Sequence, residues 1–156
     1  MSYSRPTSTI PVPRYPNGIA CIAVVGKQNN PLLIQTFGNA ADQELKYHYL
    51  AHMSCDYVDE KLRSGSKSGD LYLGLLCTIE SQNVYGYMTN TRVKFLIVIP
   101  TTVPTKDSEV KAAFDVIHSA YIDLLGNPFY DPDSTQMVAS PRFRARLQTL
   151  AAPVAS

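Results

Sequence analysis

His48 and His52 stand four residues apart inside the stretch DQELKYHYLAHMSCDYVDEKLR, which runs from Asp42 to Arg63. On a helix that spacing lets two imidazoles share one zinc ion, and Asp56 continues the row toward a third ligand. Tyr49, however, takes the place where a metalloprotease needs its glutamate, and no distant fourth ligand is apparent. The pair therefore reads as packed or surface histidines, and no metal is assigned. Cys55 and His52 offer a thiol and a base, but three residues apart on one helix nothing orients them as a nucleophilic pair. Asp56, Asp59 and Glu60 lie near Lys61 and Arg63 and read as a solvated helix face, with a partner-facing role for Asp56 as the sharper alternative. Ser64-Gly-Ser-Lys-Ser-Gly69 is rich in glycine and serine, yet it lacks the GxxxxGK[ST] pattern and falls after a helix and before a strand, the reverse of a phosphate cradle. It reads as a linker. No catalytic residue and no cofactor follow from these residues, and the chain is not expected to be an enzyme.

The element that carries these side chains holds more apolar surface than one buried face requires. On a wheel of about 100° per residue, His48, Ala51, His52, Cys55, Val58 and Leu62 gather on one arc, which predicts the face that packs on a core. Tyr49, Leu50, Met53 and Tyr57 fall on a second arc, bordered by Lys46, Asp56 and Glu60. A surface helix covering a core shows one apolar stripe and a charged remainder. Two stripes predict two contacts, so Tyr49, Leu50, Met53, Asp56, Tyr57 and Glu60 are expected to bind a partner; the wheel leaves open which arc faces inward, and burial of Cys55 against exposure of Met53 is the observation that decides it.

Composition narrows the classes. The chain has 156 residues, enough for one domain that buries about two thirds of the surface its unfolded form exposes. Its net charge is +1, from 14 basic and 13 acidic residues, which gives no sequence-independent hold on a phosphate backbone, and nucleic acid is not an expected partner. Cys21, Cys55 and Cys77 stand singly in apolar segments, as reduced and packed thiols of a cytosolic protein would. Residues 1–18 contain four prolines and no continuous apolar run, so they are read as a flexible arm rather than a secretory signal, ahead of a single domain over 19–156. The longest apolar runs, Ile19 to Val25 and Phe95 to Ile99, are far shorter than the roughly 20 residues a membrane span needs.

The remaining elements follow from period and punctuation. Gly18 to Val25 is a nearly continuous β-branched run, predicting a strand covered on both faces and central in its sheet. Lys27 to Asn30 turns into a second strand, Pro31 to Phe37, and the long helix follows with Asn39 or Asp42 as cap. Asp70 to Ile79, Val84 to Met88 and Arg92 to Ile99 read as a three-stranded antiparallel meander with turns at Ser81 to Asn83 and Asn90 to Thr91. Asp107 or Ser108 is expected to cap a helix ending at Gly126, and Ser140 with Pro141 opens a last helix carrying Phe143, Leu147 and Leu150 on one side. Five strands cannot hide both faces alone. The layered solution is an α+β sandwich of three layers: a five-stranded antiparallel sheet with the first helix on one face and the last two on the other.

The order and wording of these segments resemble the trafficking protein particle (TRAPP) complex subunit 2-like family, close to sedlin. The resemblance runs through ELKYHYLAHMSCDYVDEK at Glu44 to Lys61, LYLGLL at Leu71 to Leu76, VYGYMTNTRVKF at Val84 to Phe95 and NPFYDP at Asn127 to Pro132, and covers about Ile19 to Leu150. It implies a longin-like fold. It also implies a non-enzymatic subunit of a vesicle-tethering complex that acts as exchange factor for Rab-type GTPases in endoplasmic reticulum to Golgi and Golgi traffic. The implied partners are other TRAPP-type subunits and, indirectly, a Rab GTPase and Golgi membranes. The implied place is the cytoplasm, peripheral to endoplasmic reticulum and Golgi membranes. Three departures stand out: a longer arm before Ile19, a short loop after the first helix, and Cys55 where a leucine is common in the motif.

Two other features have a use in either direction. The NPFYDP segment sets two aromatics between prolines, either as a recognition turn or as an anchor for the last helix, and burial of aromatics favours the anchor. Arg142, Arg144 and Arg146 form a basic strip whose default is a solvated helix. The alternative to an adaptor subunit is a longin-like module that binds a small molecule or lipid, suggested by the tyrosine and leucine content of the sheet. No tight small-molecule ligand is expected on the adaptor reading.

Overall fold

The computed structural model describes residues 16, 18–37, 43–63, 72–128, 130 and 140–151. The order is β1 (Cys21–Val25), β2 (Pro31–Thr36), α1 (Glu44–Arg63), β3 (Tyr72–Ile79), β4 (Gln82–Met88), β5 (Lys94–Pro100), α2 (Asp107–Leu125) and α3 (Pro141–Ala151). The expected caps Asn39 and Asp42, the Ser64–Gly69 linker and nearly all of the N-terminal arm lie outside the described residues.

The strands form one antiparallel sheet in the order β2-β1-β5-β4-β3. The middle position belongs to β5, whose residues Lys94 to Ile99 are all buried, while β1 sits between β2 and β5. Both strands have neighbours on two sides and helices on two faces, which is why both read as unbroken apolar runs. The alternation of side chains divides the core. Ile22, Val24, Phe95, Ile97 and Ile99 meet α2 and α3, and Cys21, Ala23, Val25, Leu96 and Val98 meet α1. One helix therefore covers one face and two cover the other, in the three-layer arrangement that the element order predicts and that the resemblance implies to be longin-like.

On the two-helix side, rings interlock from sheet to helix. Tyr72 and Tyr87 lie 5.9 and 5.4 Å from Phe114, and Phe95 lies 5.5 Å from Tyr121, which in turn approaches Phe143. The Tyr72 hydroxyl donates to the Asp107 carboxylate. This bond explains why the cap of α2 departs from expectation: Asp107 is the first helical residue, Lys106 is the N-cap, and the Glu109 carboxylate accepts the Lys106 N–H at 3.1 Å. For α3 the expected cap is in place, with Ser140 Oγ accepting the Phe143 N–H at 3.2 Å and Pro141 opening the helix.

The β3–β4 turn sits one to two residues earlier than expected. Ile79 pairs with Gln82, which leaves Glu80 and Ser81 as a two-residue loop, both at positive φ (51° and 64°). That is the mirror-image turn whose twist matches an antiparallel ribbon, normally built from Asn-Gly or Asp-Gly. Glu80-Ser81 is neither pair, so the turn is set by strand pairing rather than by its own residues.

Candidate interaction face of the first helix

Helix α1 buries Tyr47, Leu50, Ala51, Ser54, Cys55 and Val58 against β1, β2 and β3. The buried arc is thus rotated by about 60° from the one the apolar pattern predicts. Two residues outside that pattern account for the rotation. Tyr47 lies 2% exposed among Cys21, Ala23 and Leu96. Ser54 is fully buried because its hydroxyl donates to the Leu50 carbonyl at 2.7 Å and lies 3.9 Å from Cys77 Sγ, so burial leaves no polar group bare.

The rotation corrects one predicted partner residue and two predicted core residues. Leu50 has no exposed surface and belongs to the core, so it is removed from the candidate interface. His52 is exposed and His48 half-buried, whereas the apolar pattern puts both on the sheet face. Cys55 is buried as expected, and Met53 is half-buried rather than fully exposed. Tyr49, Asp56, Tyr57 and Glu60 lie on the surface.

The centre of the outward arc is a row that the apolar count did not isolate. Leu45, Tyr49, His52 and Asp56 follow at helical spacing, with Leu45 84% and Tyr49 59% exposed. Glu44 and Lys46 flank Leu45 in a first turn that looks charged, which masks it in the apolar pattern. Its spacing to Tyr49 is the signal that finds it. Beside this row runs an open groove of about 710 Å³ bordered by Leu45, Lys46, His48, Tyr49, His52 and Glu80. Glu80 comes from the β3–β4 turn, and nothing local in the sequence could have placed it against α1.

His48 Nε2 lies 3.5 Å from Glu44 Oε1, and no three His, Cys, Asp or Glu side chains are grouped to hold a metal among the described residues. A small cavity of about 110 Å³ lies under His48 and His52, with Cys55 and Ala51 in its lining. Cys55 donates to the Ala51 carbonyl at 3.5 Å, and burial pushes its thiol upward, so it is a poor nucleophile. Cys21 is driven further, up to about 12, by the same desolvation with a contribution from Glu44.

Elsewhere, Lys94 of β5 is only 5% exposed and donates from Nζ to Asn29 Oδ1 in the β1–β2 turn at 2.7 Å. Of the NPFYDP segment, Phe129, Asp131 and Pro132 lie outside the described residues, while Tyr130 packs on the core and hydrogen-bonds Tyr121. That contact fits the anchor reading. In the basic strip, Arg146 pairs with Asp123 of α2, which ties α3 to its neighbour.

Comparison with known proteins matches this arrangement to one family. The family model described as Sedlin matches residues 24–152. A trafficking protein particle complex subunit 2-like protein of Dictyostelium discoideum is 46% identical over 119 residues, covering 74% of this chain and 85% of the relative. Its counterpart in Rattus norvegicus is 43% identical over 117 residues, covering 72% and 83%, and that of Xenopus tropicalis 41% with the same coverage. Matched along most of its length by the family model and by relatives above 40% identity, the chain belongs to the sedlin family.

Proposed function

We propose that the chain is a non-enzymatic assembly subunit of a TRAPP-type tethering complex, and that the outer face of α1 is where it meets another subunit. The observation that carries the reading is the exposed row headed by Leu45 and Tyr49 on a helix whose other side is already committed to the sheet. Single exposed apolar residues are ordinary, whereas a continuous row beside a groove marks an interaction surface. The kind of assembly comes from the relatives, which are named as subunits of the trafficking protein particle complex. On this reading the interface residues are Tyr49, Met53, Asp56, Tyr57 and Glu60, with Leu45 in place of Leu50. The complex would act as exchange factor for a Rab-type GTPase in endoplasmic reticulum to Golgi and Golgi traffic, with this subunit cytoplasmic and peripheral to those membranes. The domain is 19–156, with 1–18 as an arm outside it. No helix among the described residues is long and apolar enough to cross a membrane.

Affinity purification of the chain at its endogenous level, with partners identified by mass spectrometry, tests the reading. Other TRAPP-type subunits should co-purify, and a Leu45→Asp, Tyr49→Asp variant that melts like the parent should lose them. Unchanged assembly in that variant would sink the interface. Absence of such subunits from the parent preparation would sink the adaptor reading itself.

A further inference from the structure

We infer that the outer face of α1 receives an amphipathic helix of a partner protein, apolar where it meets Leu45, Tyr49 and His52 and basic where it meets Asp56 and Glu60. This rests on reading that face as an interface and specifies what the interface accepts. Leu45, Tyr49, His52 and Asp56 are separated by four, three and four residues. That is the seam spacing that a second helix follows turn by turn, whereas an extended strand meets such a row only where it crosses it. From Leu45 to Glu60 the face extends about 22 Å, so the complementary segment is roughly 15 residues of helix.

The two halves of the face differ in chemistry. Its N-terminal half is the open groove, with Leu45 and Tyr49 exposed and Glu80 across from them. Its C-terminal half exposes Asp56, Asp59 and Glu60 within five residues before Lys61 and Arg63 reverse the sign. Among the described residues Asp56 and Glu60 have no ion-pair partner, so lysine or arginine from outside would supply the missing charge. A second copy of this chain fits poorly. Parallel copies of α1 would set the carboxylates against each other, and antiparallel copies would set Leu45 against Glu60.

The test uses the full chain in its purified assembly, with a benzophenone amino acid replacing Tyr49. Mass spectrometry should place the crosslink in a segment with apolar residues at three- and four-residue spacing and Lys or Arg at one end. A crosslink to a segment without that pattern, or to α1 of a second copy, overturns the inference. In parallel, Asp56→Lys with Glu60→Lys should weaken association about tenfold at low salt and by less as salt rises, since charge contacts are screened. Leu45→Ala with Tyr49→Ala should weaken it by a similar factor independent of salt. If the alanine pair dissociates the complex while the lysine pair leaves affinity and salt dependence unchanged, α1 remains an interface and the basic helix is refuted. If neither pair has any effect, the interface reading falls with it.

Discussion

Leu50 and Tyr49 are neighbours in sequence with opposite surroundings, and replacing each by alanine separates the two faces of α1. Leu50 is fully buried beneath the helix and Tyr49 is 59% exposed. Leu50→Ala removes three carbon groups, about 2.4 kcal/mol of transfer free energy at ~0.8 kcal/mol each. The cavity left between Tyr47, Ser54 and the sheet adds to this, giving a total of about 3–4 kcal/mol. For a domain of this size that corresponds to a midpoint lowered by roughly 6–16 °C. Tyr49→Ala should stay within about 0.5 kcal/mol of the parent, because a surface substitution removes little packing. Urea unfolding followed by far-ultraviolet circular dichroism measures both, and an unchanged slope with denaturant keeps the comparison on stability alone. A cost below about 1 kcal/mol for Leu50→Ala, or above about 2 kcal/mol for Tyr49→Ala, would refute the assignment of inner and outer faces.

Three further outcomes test other parts of the fold. Ser81→Gly relieves positive φ at the second position of the β3–β4 turn and should stabilise by about 0.5–1 kcal/mol, read as a raised urea midpoint. Gly86→Ala places a Cβ 2.6 Å from Leu76 Cδ1 and should destabilise by about 1–3 kcal/mol, less if Leu76 is also trimmed to alanine. Burial raises the Cys21 thiol from 9.0 to about 12, so the folded state holds this proton more tightly than the unfolded chain. Its contribution is whole below the lower value and is lost as pH climbs toward the higher one. Between about pH 8 and about pH 10.5 the melting temperature of Cys21→Ala should therefore fall less than that of the parent.

Fold and site were not equally legible in the sequence. The three layers could be read because β1 and β5 are unbroken apolar runs and α2 and α3 keep helical spacing, and both signals survive without tertiary information. The orientation of α1 could not, because its inner arc is built partly from Tyr47 and Ser54. A serine counts as polar until its hydroxyl is seen donating to the Leu50 carbonyl. Since Ala51 and Cys55 flank either reading, a rotation of about 60° moves Leu50 inward and His52 outward. Glu80 illustrates a different limit. Its place beside α1 depends on where a turn without glycine or asparagine closes, and strand pairing alone decides that.

The small inner residues also determine how much of α1 is left to face outward. Ala51, Ser54 and Cys55 are among the residues α1 buries against the sheet, and side chains this short permit a close approach of the helix axis. A close approach buries a narrow stripe, and α1 buries six of its 20 residues. Larger residues at these positions would hold the helix away, fill the gap with more of its own surface, and turn Met53 or Tyr57 inward. The row from Leu45 to Asp56 is thus exposed because of what lies beneath it. Enlarging Ser54 to leucine should disturb binding at Tyr49 although the two side chains lie on opposite sides of the helix. If Ser54→Leu folds and binds as the parent does, the close approach of helix and sheet is not what sets the outer face.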